Sequence, residues 1–284
     1  MNDDEKFWDS LSVEEAQFVD KIMRELADQT WAFPLLNQIG TDGGLTRVNK
    51  ARFFELRFGY ALHQIGISLA YEVPGEGRST LDFGFTVSEQ HWLVELMRLE
   101  ETEAVQRATY THVDESGTRW SSRMLSTDAR DRRESPAGET LKAVERICQK
   151  CEHHGKPHKF ALPSDAYHVI LIDFRTFIHG GDVHDRIHVG LGGEYVREPF
   201  DRLCWDGKLF SGVFSPRTVV GGATVARERV HFLGFVCEKS YESGSFATTT
   251  QFIANPNLFQ DVAEAKAAIE TWPLKPVVVL NGAP

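Results

Sequence analysis

Two runs of alternating apolar residues, Leu81-Asp82-Phe83-Gly84-Phe85 and Trp92-Leu93-Val94-Glu95-Leu96-Met97, stand on either side of Ser88-Glu89. Side chains alternate faces along a strand, so this spacing predicts two antiparallel strands joined by a tight turn about Ser88 and Glu89. In that register Leu81, Phe83 and Phe85 meet Leu96, Val94 and Trp92 on one wholly apolar face, while Thr80, Asp82 and Gly84 meet Met97, Glu95 and Leu93 on the other. A slip of one residue would put acids opposite large hydrophobes on the buried face, so the apolar pattern supports Asp82 opposite Glu95.

The surrounding elements follow from the same reasoning. Ser12-Val13-Glu14-Glu15 reads as a capping box that opens an amphipathic helix carrying Val13, Ala16, Val19, Met23 and Leu26. A Gly-rich patch at 40–44 precedes a second helix over about 48–65, with Ala51, Phe54, Phe58, Ala61 or Leu62, and Ile65 as its core stripe. Strands are expected at 67–73, 79–87 and 91–99, another hairpin and a loop over about 106–135, a helix over 137–154 and a strongly apolar strand over 167–173. Further strands at 230–236 and 248–254 and a short helix at about 262–271 complete the chain. The expected organisation is a helical lead-in over 1–46, a core over 47–180 and a C-terminal extension over 181–284.

Composition narrows the class. Hydrophobic residues at 42% and charged residues at 25% exclude a disordered or fibrous chain. Four cysteines are too few for a disulfide scaffold, the acidic start Met1-Asn2-Asp3-Asp4-Glu5-Lys6 lacks the form of a signal peptide, and no apolar run approaches a membrane span. The expectation is a cytoplasmic protein with no membrane partner. The net charge of −10 opposes broad affinity for nucleic acid, yet the segment from Arg119 to Lys159 holds ten Lys or Arg against six acids. That basic region, +4 in a chain otherwise at −14, is the expected face for a polyanion.

Opposed carboxylates at strand separation repel unless something neutralises them. A divalent cation does so, because hard ions such as Mg²⁺ take carboxylate, water and phosphate oxygens. The plain alternative is an exposed face on which Asp82 and Glu95 are hydrated or paired with Arg or Lys. Glu55 on the helix before the strands has its own plain alternative, a surface pair with Arg52 three residues earlier.

With Glu55, Asp82 and Glu95 in this order along helix, strand, strand, strand, helix, strand, residues 47–175 resemble the PD-(D/E)XK, or restriction-endonuclease-like, nuclease superfamily. The resemblance implies an α/β fold with an αβββαβ core, here carrying an N-terminal helix and a C-terminal α+β extension. It implies Mg²⁺- or Mn²⁺-dependent hydrolysis of DNA or RNA phosphodiester bonds, with Asp82, Glu95 and Glu55 holding metal and an activated water attacking phosphorus. The sequence departs from the family at one place, where Met97 stands at the position of the motif lysine. Lys142, near the start of the helix over 137–154, is the residue from which a long side chain would supply the missing cation. The competing expectation is a non-catalytic binding module on the same fold. The lead-in and the C-terminal extension are expected to cover the core or to form a homodimer contact.

Other signals read as structural. Cys148 and Cys151, with His153, His154 and His158 nearby, suggest zinc, but Ala137, Leu141, Val144, Cys148 and Cys151 are spaced as one buried helical stripe. The Gly75–Thr80 loop lacks the lysine and the following helix of a phosphate-binding loop. The His179–Asp185 loop behind the strand at 167–173 carries two His and two Asp, and reads chiefly as a solvated turn.

Overall fold

The computed structural model describes residues 11–100, 102–116, 119–128, 131, 134–175 and 181–280. Helix α1 spans Val13–Glu25 and opens as its sequence requires, with the Ser12 hydroxyl accepting the Glu15 N–H at 3.1 Å. Val13 is exposed and Ile22 takes its place on the buried face beside Val19 and Leu26. Helix α2, Phe33–Thr41, carries Pro34 in its first turn, where a missing N–H costs nothing. Helix α3, Lys50–Gln64, follows a short 3-10 turn, and the Asn49 side chain donates to the carbonyls of Ile39, Asp42 and Gly44. Ala51 and Ile65, expected in its core stripe, are exposed, whereas Phe53, Leu56 and Tyr60 are buried.

The sheet has seven strands whose spatial order is their chain order. They are β1 Leu69–Pro74, β2 Thr80–Val87, β3 Gln90–Arg98, β4 Ala166–Asp173, β5 Phe232–Val236, β6 Thr250–Ala254 and β7 Val278–Val279. β1, β2 and β3 form an antiparallel meander, β3, β4 and β5 run parallel, and β6 returns antiparallel to β5 and parallel to β7. The chain crosses from β3 to β4 through helix α4, Pro136–Cys151, and from β4 to β5 through α5, Val183–Gly190, and α6, Ala223–Arg229. Helix α7, Val262–Ile269, lies between β6 and β7. The C-terminal residues thus extend the central sheet itself. A two-stranded ribbon, Thr109–Val113 with Arg119–Arg123, occupies the expected hairpin.

Both faces of the sheet are buried. Met97, Ile170, Ile172 and Phe235 pack with Val144, Ile147, Cys148 and Cys151 of α4; the opposite face packs Phe83, Phe85, Trp92 and Val94 with Phe54, Phe58 and Leu62 of α3. The two helical cysteines are free and fully buried, as their spacing predicts, and burial pushes the Cys148 thiol up to about 12.

The β2–β3 register is the expected one: Phe83 pairs with Val94 and Phe85 with Trp92, around a two-residue turn in which Ser88 and Glu89 both have positive φ. Leu81 is a correction. It packs on the α4 face with Met97 rather than beside Phe83 and Phe85. The strand breaks alternation at Asp82, opposite Glu72, whose φ of 55° turns the β1 edge.

Gly222, the residue before α6, shows how tightly the crossovers are docked. It has φ +82, and a Cβ there would stand 2.0 Å from the Cys148 carbonyl oxygen. Gly222→Ala is expected to lower stability by about 2–4 kcal/mol through backbone strain and steric conflict, read as a shift in urea midpoint.

Two buried histidines make the fold acid-sensitive. His231 Nδ1 accepts the His168 backbone N–H at 3.0 Å, and His168 Nδ1 lies 2.7 Å from the Arg229 carbonyl. Burial, then the neighbouring His168, pushes His231 down to about 3; burial also lowers His168. A histidine with a depressed folded pKa favours folding above its unfolded value, about 6.5, and that contribution is lost as pH falls toward the folded value. Stability is expected to fall between pH ~6.5 and pH ~4 with a slope of up to about 1.4 kcal/mol per pH unit from each histidine. Urea titrations across that range check this, and His231→Gln should flatten the curve.

Candidate active site

Beyond the Phe83–Val94 pair the β2–β3 ladder opens, and the Asp82 carboxylate accepts the Leu96 N–H at 2.6 Å in place of a backbone partner. The paired register ends at Phe83–Val94, so the expected Asp82–Glu95 pair is not part of the ladder. Glu95 is fully buried under the end of α4, with Lys150 Nζ 2.8 Å from its Oε1. Lys159 Nζ stands 3.1 Å from Oε2 and donates to the Thr80 carbonyl at 2.7 Å, so one ammonium ties the start of β2 to the middle of β3. The third acid comes from α3: Glu55 Oε2 accepts the Tyr71 hydroxyl at 2.8 Å across from β1.

These acids feel one another. Burial, then Glu95 and Glu55, pushes the Asp82 carboxyl well above its ordinary value. Burial raises Glu55, with the Tyr71 hydrogen bond opposing and Glu95 adding to the rise. Burial alone would lower the Lys150 ammonium, but Glu95, Asp82 and Glu55 outweigh it and leave it raised. Three carboxylates against two ammonium groups leave the unit one negative charge in excess when all are ionised.

The oxygens here are carboxylate oxygens, the kind a hard cation takes, but Glu95 already has Lys150 and Lys159 as its partners, and burial, then Glu95 and Glu55, raises the Asp82 carboxyl. Mg²⁺ needs only one or two carboxylates when water and phosphate complete its octahedron. Among the described residues no group of three or more His, Cys, Asp or Glu side chains is gathered closely enough to hold a metal ion.

The expected cation is corrected. Lys142 lines a separate cavity with Glu103, Glu139 and Arg146, whereas Lys150, about two turns further along α4, reaches Glu95. Ala143, Ile147 and Lys150 are spaced four and three apart, so Lys150 continues a buried row of the helix while Lys142 does not. That spacing is the signal that points to Lys150. Nothing local points to Lys159 or Tyr71, which arrive from a loop and an edge strand. Met97 is a core residue beneath α4.

Elsewhere, Asp182 and Asp185 form a capping box at the start of α5, and His184 Nδ1 lies 3.0 Å from Asp201 Oδ2. His179 and Gly180 lie outside the described residues, as do Met1–Lys6 and Arg130, Arg132 and Arg133 of the basic region. Asp173 is held well below its usual range, where Arg175 outweighs the burial that opposes it, through contacts of 2.8 Å from Nε and 2.5 Å from Nη2.

A second buried ionic group lies on the α3 side. Arg57 joins Glu15 of α1 through Nη1 and Glu238, beyond β5, through Nε, each at 2.8 Å, with all three side chains about 1% exposed. Lys50 and Arg175 approach Glu15 at 3.6 and 3.5 Å, and the Arg57 guanidinium lies 5.3 Å from the centre of the Tyr241 ring.

Comparison of the chain with models of protein families, with curated proteins and with solved structures finds no match. The chain is a mixed α/β protein with a seven-stranded mixed sheet, and among the described residues no helix is long and apolar enough to cross a membrane.

Proposed function

We propose that this chain is a divalent-metal-dependent nuclease with a restriction-endonuclease-like core. The observation that carries the reading is that Glu55 and Glu95 act electrostatically on the buried Asp82 carboxyl where β2 and β3 part, with the Lys150 ammonium 2.8 Å from Glu95. The order α3, β1, β2, β3, α4, β4 supports it, with the acids on α3, β2 and β3.

Asp82 and Glu95 are the residues that would hold Mg²⁺ or Mn²⁺, with Glu55 supporting from α3. Bound there, the ion supplies charge stabilisation at a phosphoryl oxygen and a more acidic water. Lys150 and Lys159 hold the Glu95 carboxylate in place, and Lys150, 35% exposed, is the cation able to face the phosphate. Tyr71 fixes the orientation of Glu55. Substrate phosphates would approach over the basic 119–159 region.

The second reading is a non-catalytic binding or interaction module on the same fold, favoured by one observation: both Glu95 oxygens already face ammonium groups, and the motif lysine is replaced by the buried Met97. Titration calorimetry with Mg²⁺ and Mn²⁺, beside a cleavage assay on single- and double-stranded DNA and RNA, separates the two. Metal binding with cleavage supports the nuclease; nucleic-acid binding without either overturns it in favour of the module.

A further inference from the structure

Directly after Lys150, the chain forms a small hairpin in which Glu152 pairs with Pro157 and His153 with Lys156. Its two turn residues, His154 and Gly155, have φ values of 51° and 73°, the left-handed pair that a tight hairpin turn demands. Histidine is one of the few residues with a side chain found more often in that conformation. The turn gathers three imidazoles: the His153 ring centre is 4.1 Å from that of His154 and 5.4 Å from that of His158. His153 and His154 are exposed and His158 is half-buried. Among the described residues, no hydrogen bond or ion pair engages any of the three rings, so they do not serve the fold as His168 and His231 do.

Three lysines and three acids surround them, and Lys150 and Lys159 pair with one of those acids, Glu95. Lys156 and Lys159 lie on the same segment and Lys150 at the end of α4. The nearby acids are committed: Glu95 to the two lysines, Glu152 to the Gly222 N–H at 3.1 Å, and Glu76 of the adjoining turn to Arg229 at 3.2 Å. Burial, then Lys159 and His153, works against a proton on His158, and an anion laid across the hairpin offsets the charges that do so.

We propose that the Glu152–Lys159 hairpin is a contact for the phosphate backbone of nucleic acid and takes up protons as it binds. The proposal rests on the nuclease reading for its ligand and adds to it a pH-dependent grip beside the acidic site. Burial, then Lys159 and His153, already lowers His158 in the free protein, so proton uptake on binding is the expected direction. Uptake of one proton strengthens binding about tenfold per pH unit of acidification, on top of the salt dependence that lysine–phosphate contacts give.

The test is fluorescence anisotropy of a short rhodamine-labelled DNA duplex in EDTA at constant ionic strength, from about pH 8 to about pH 6. The wild-type Kd should fall by up to about tenfold per pH unit near neutrality. The triple variant His153→Asn, His154→Asn, His158→Gln should lose that slope while keeping its thermal unfolding. Lys156→Gln should weaken binding equally at every pH. A pH-independent wild-type Kd, or an unchanged slope in the triple variant, overturns the proposal; where Mg²⁺-dependent cleavage persists alongside, the nuclease reading stands without it. No binding at any pH also overturns it, and if cleavage is absent too, the nuclease reading falls with it.

Discussion

Glu95→Gln should abolish metal-dependent cleavage by about a thousandfold or more while leaving the fold intact. Removing the charge takes away one of the two carboxylates that would hold the ion, and several kcal/mol of transition-state stabilisation corresponds to that factor. The fold should survive because Gln keeps the volume of Glu95, and because Lys150 and Lys159, at 35% and 18% exposure, retain contact with water when their partner is neutral. Measuring kcat on a nucleic-acid substrate beside a urea titration gives both halves. Wild-type cleavage in Glu95→Gln would remove the site from the reaction. A collapsed fold would show that Glu95 serves the core, and Asp82→Asn would then carry the activity test.

Arg57→Met should cost about 3–5 kcal/mol of stability, the largest loss expected from a single substitution here. The change strands the Glu15 and Glu238 carboxylates in the interior. Lys50 and Arg175 stay near Glu15, but the Ser245 hydroxyl, at 3.0 Å, is the sole remaining hydrogen-bond donor to Glu238 among the described residues. A domain of this size loses about 2–4 °C in Tm per kcal/mol, so the variant should melt about 10 °C lower. A shift within a degree or two would mean that the three elements α1, α3 and the segment after β5 are joined by apolar contacts alone.

That ionic group also marks the limit of what the chain discloses before folding. Glu15 reads as the last residue of a capping box, and Arg57 lies off the apolar stripe expected for its helix. They are buried because each meets a partner far away in sequence, and no local pattern records such a meeting. The β2–β3 register was readable because alternation makes a one-residue slip costly over the whole strand. The displacement of Leu81 was not, since it follows from a left-handed φ at Glu72, a glutamate with no mark of that conformation. Helix α2 had a legible start in Pro34, overshadowed by the glycines that follow. The order of Glu55, Asp82 and Glu95 on helix, strand and strand was legible from element periodicity. Their cations were not, since reach from the end of a helix depends on how that helix lies across the sheet.

Because every strand of the central sheet lies beside the one that preceded it in the chain, a ribosome releasing this polypeptide exposes each new strand when its neighbour is already available. No strand must later be threaded between two that have closed. The sheet grows at one edge in the direction of synthesis, and the meander that carries Asp82 and Glu95 is complete well before its parallel half emerges.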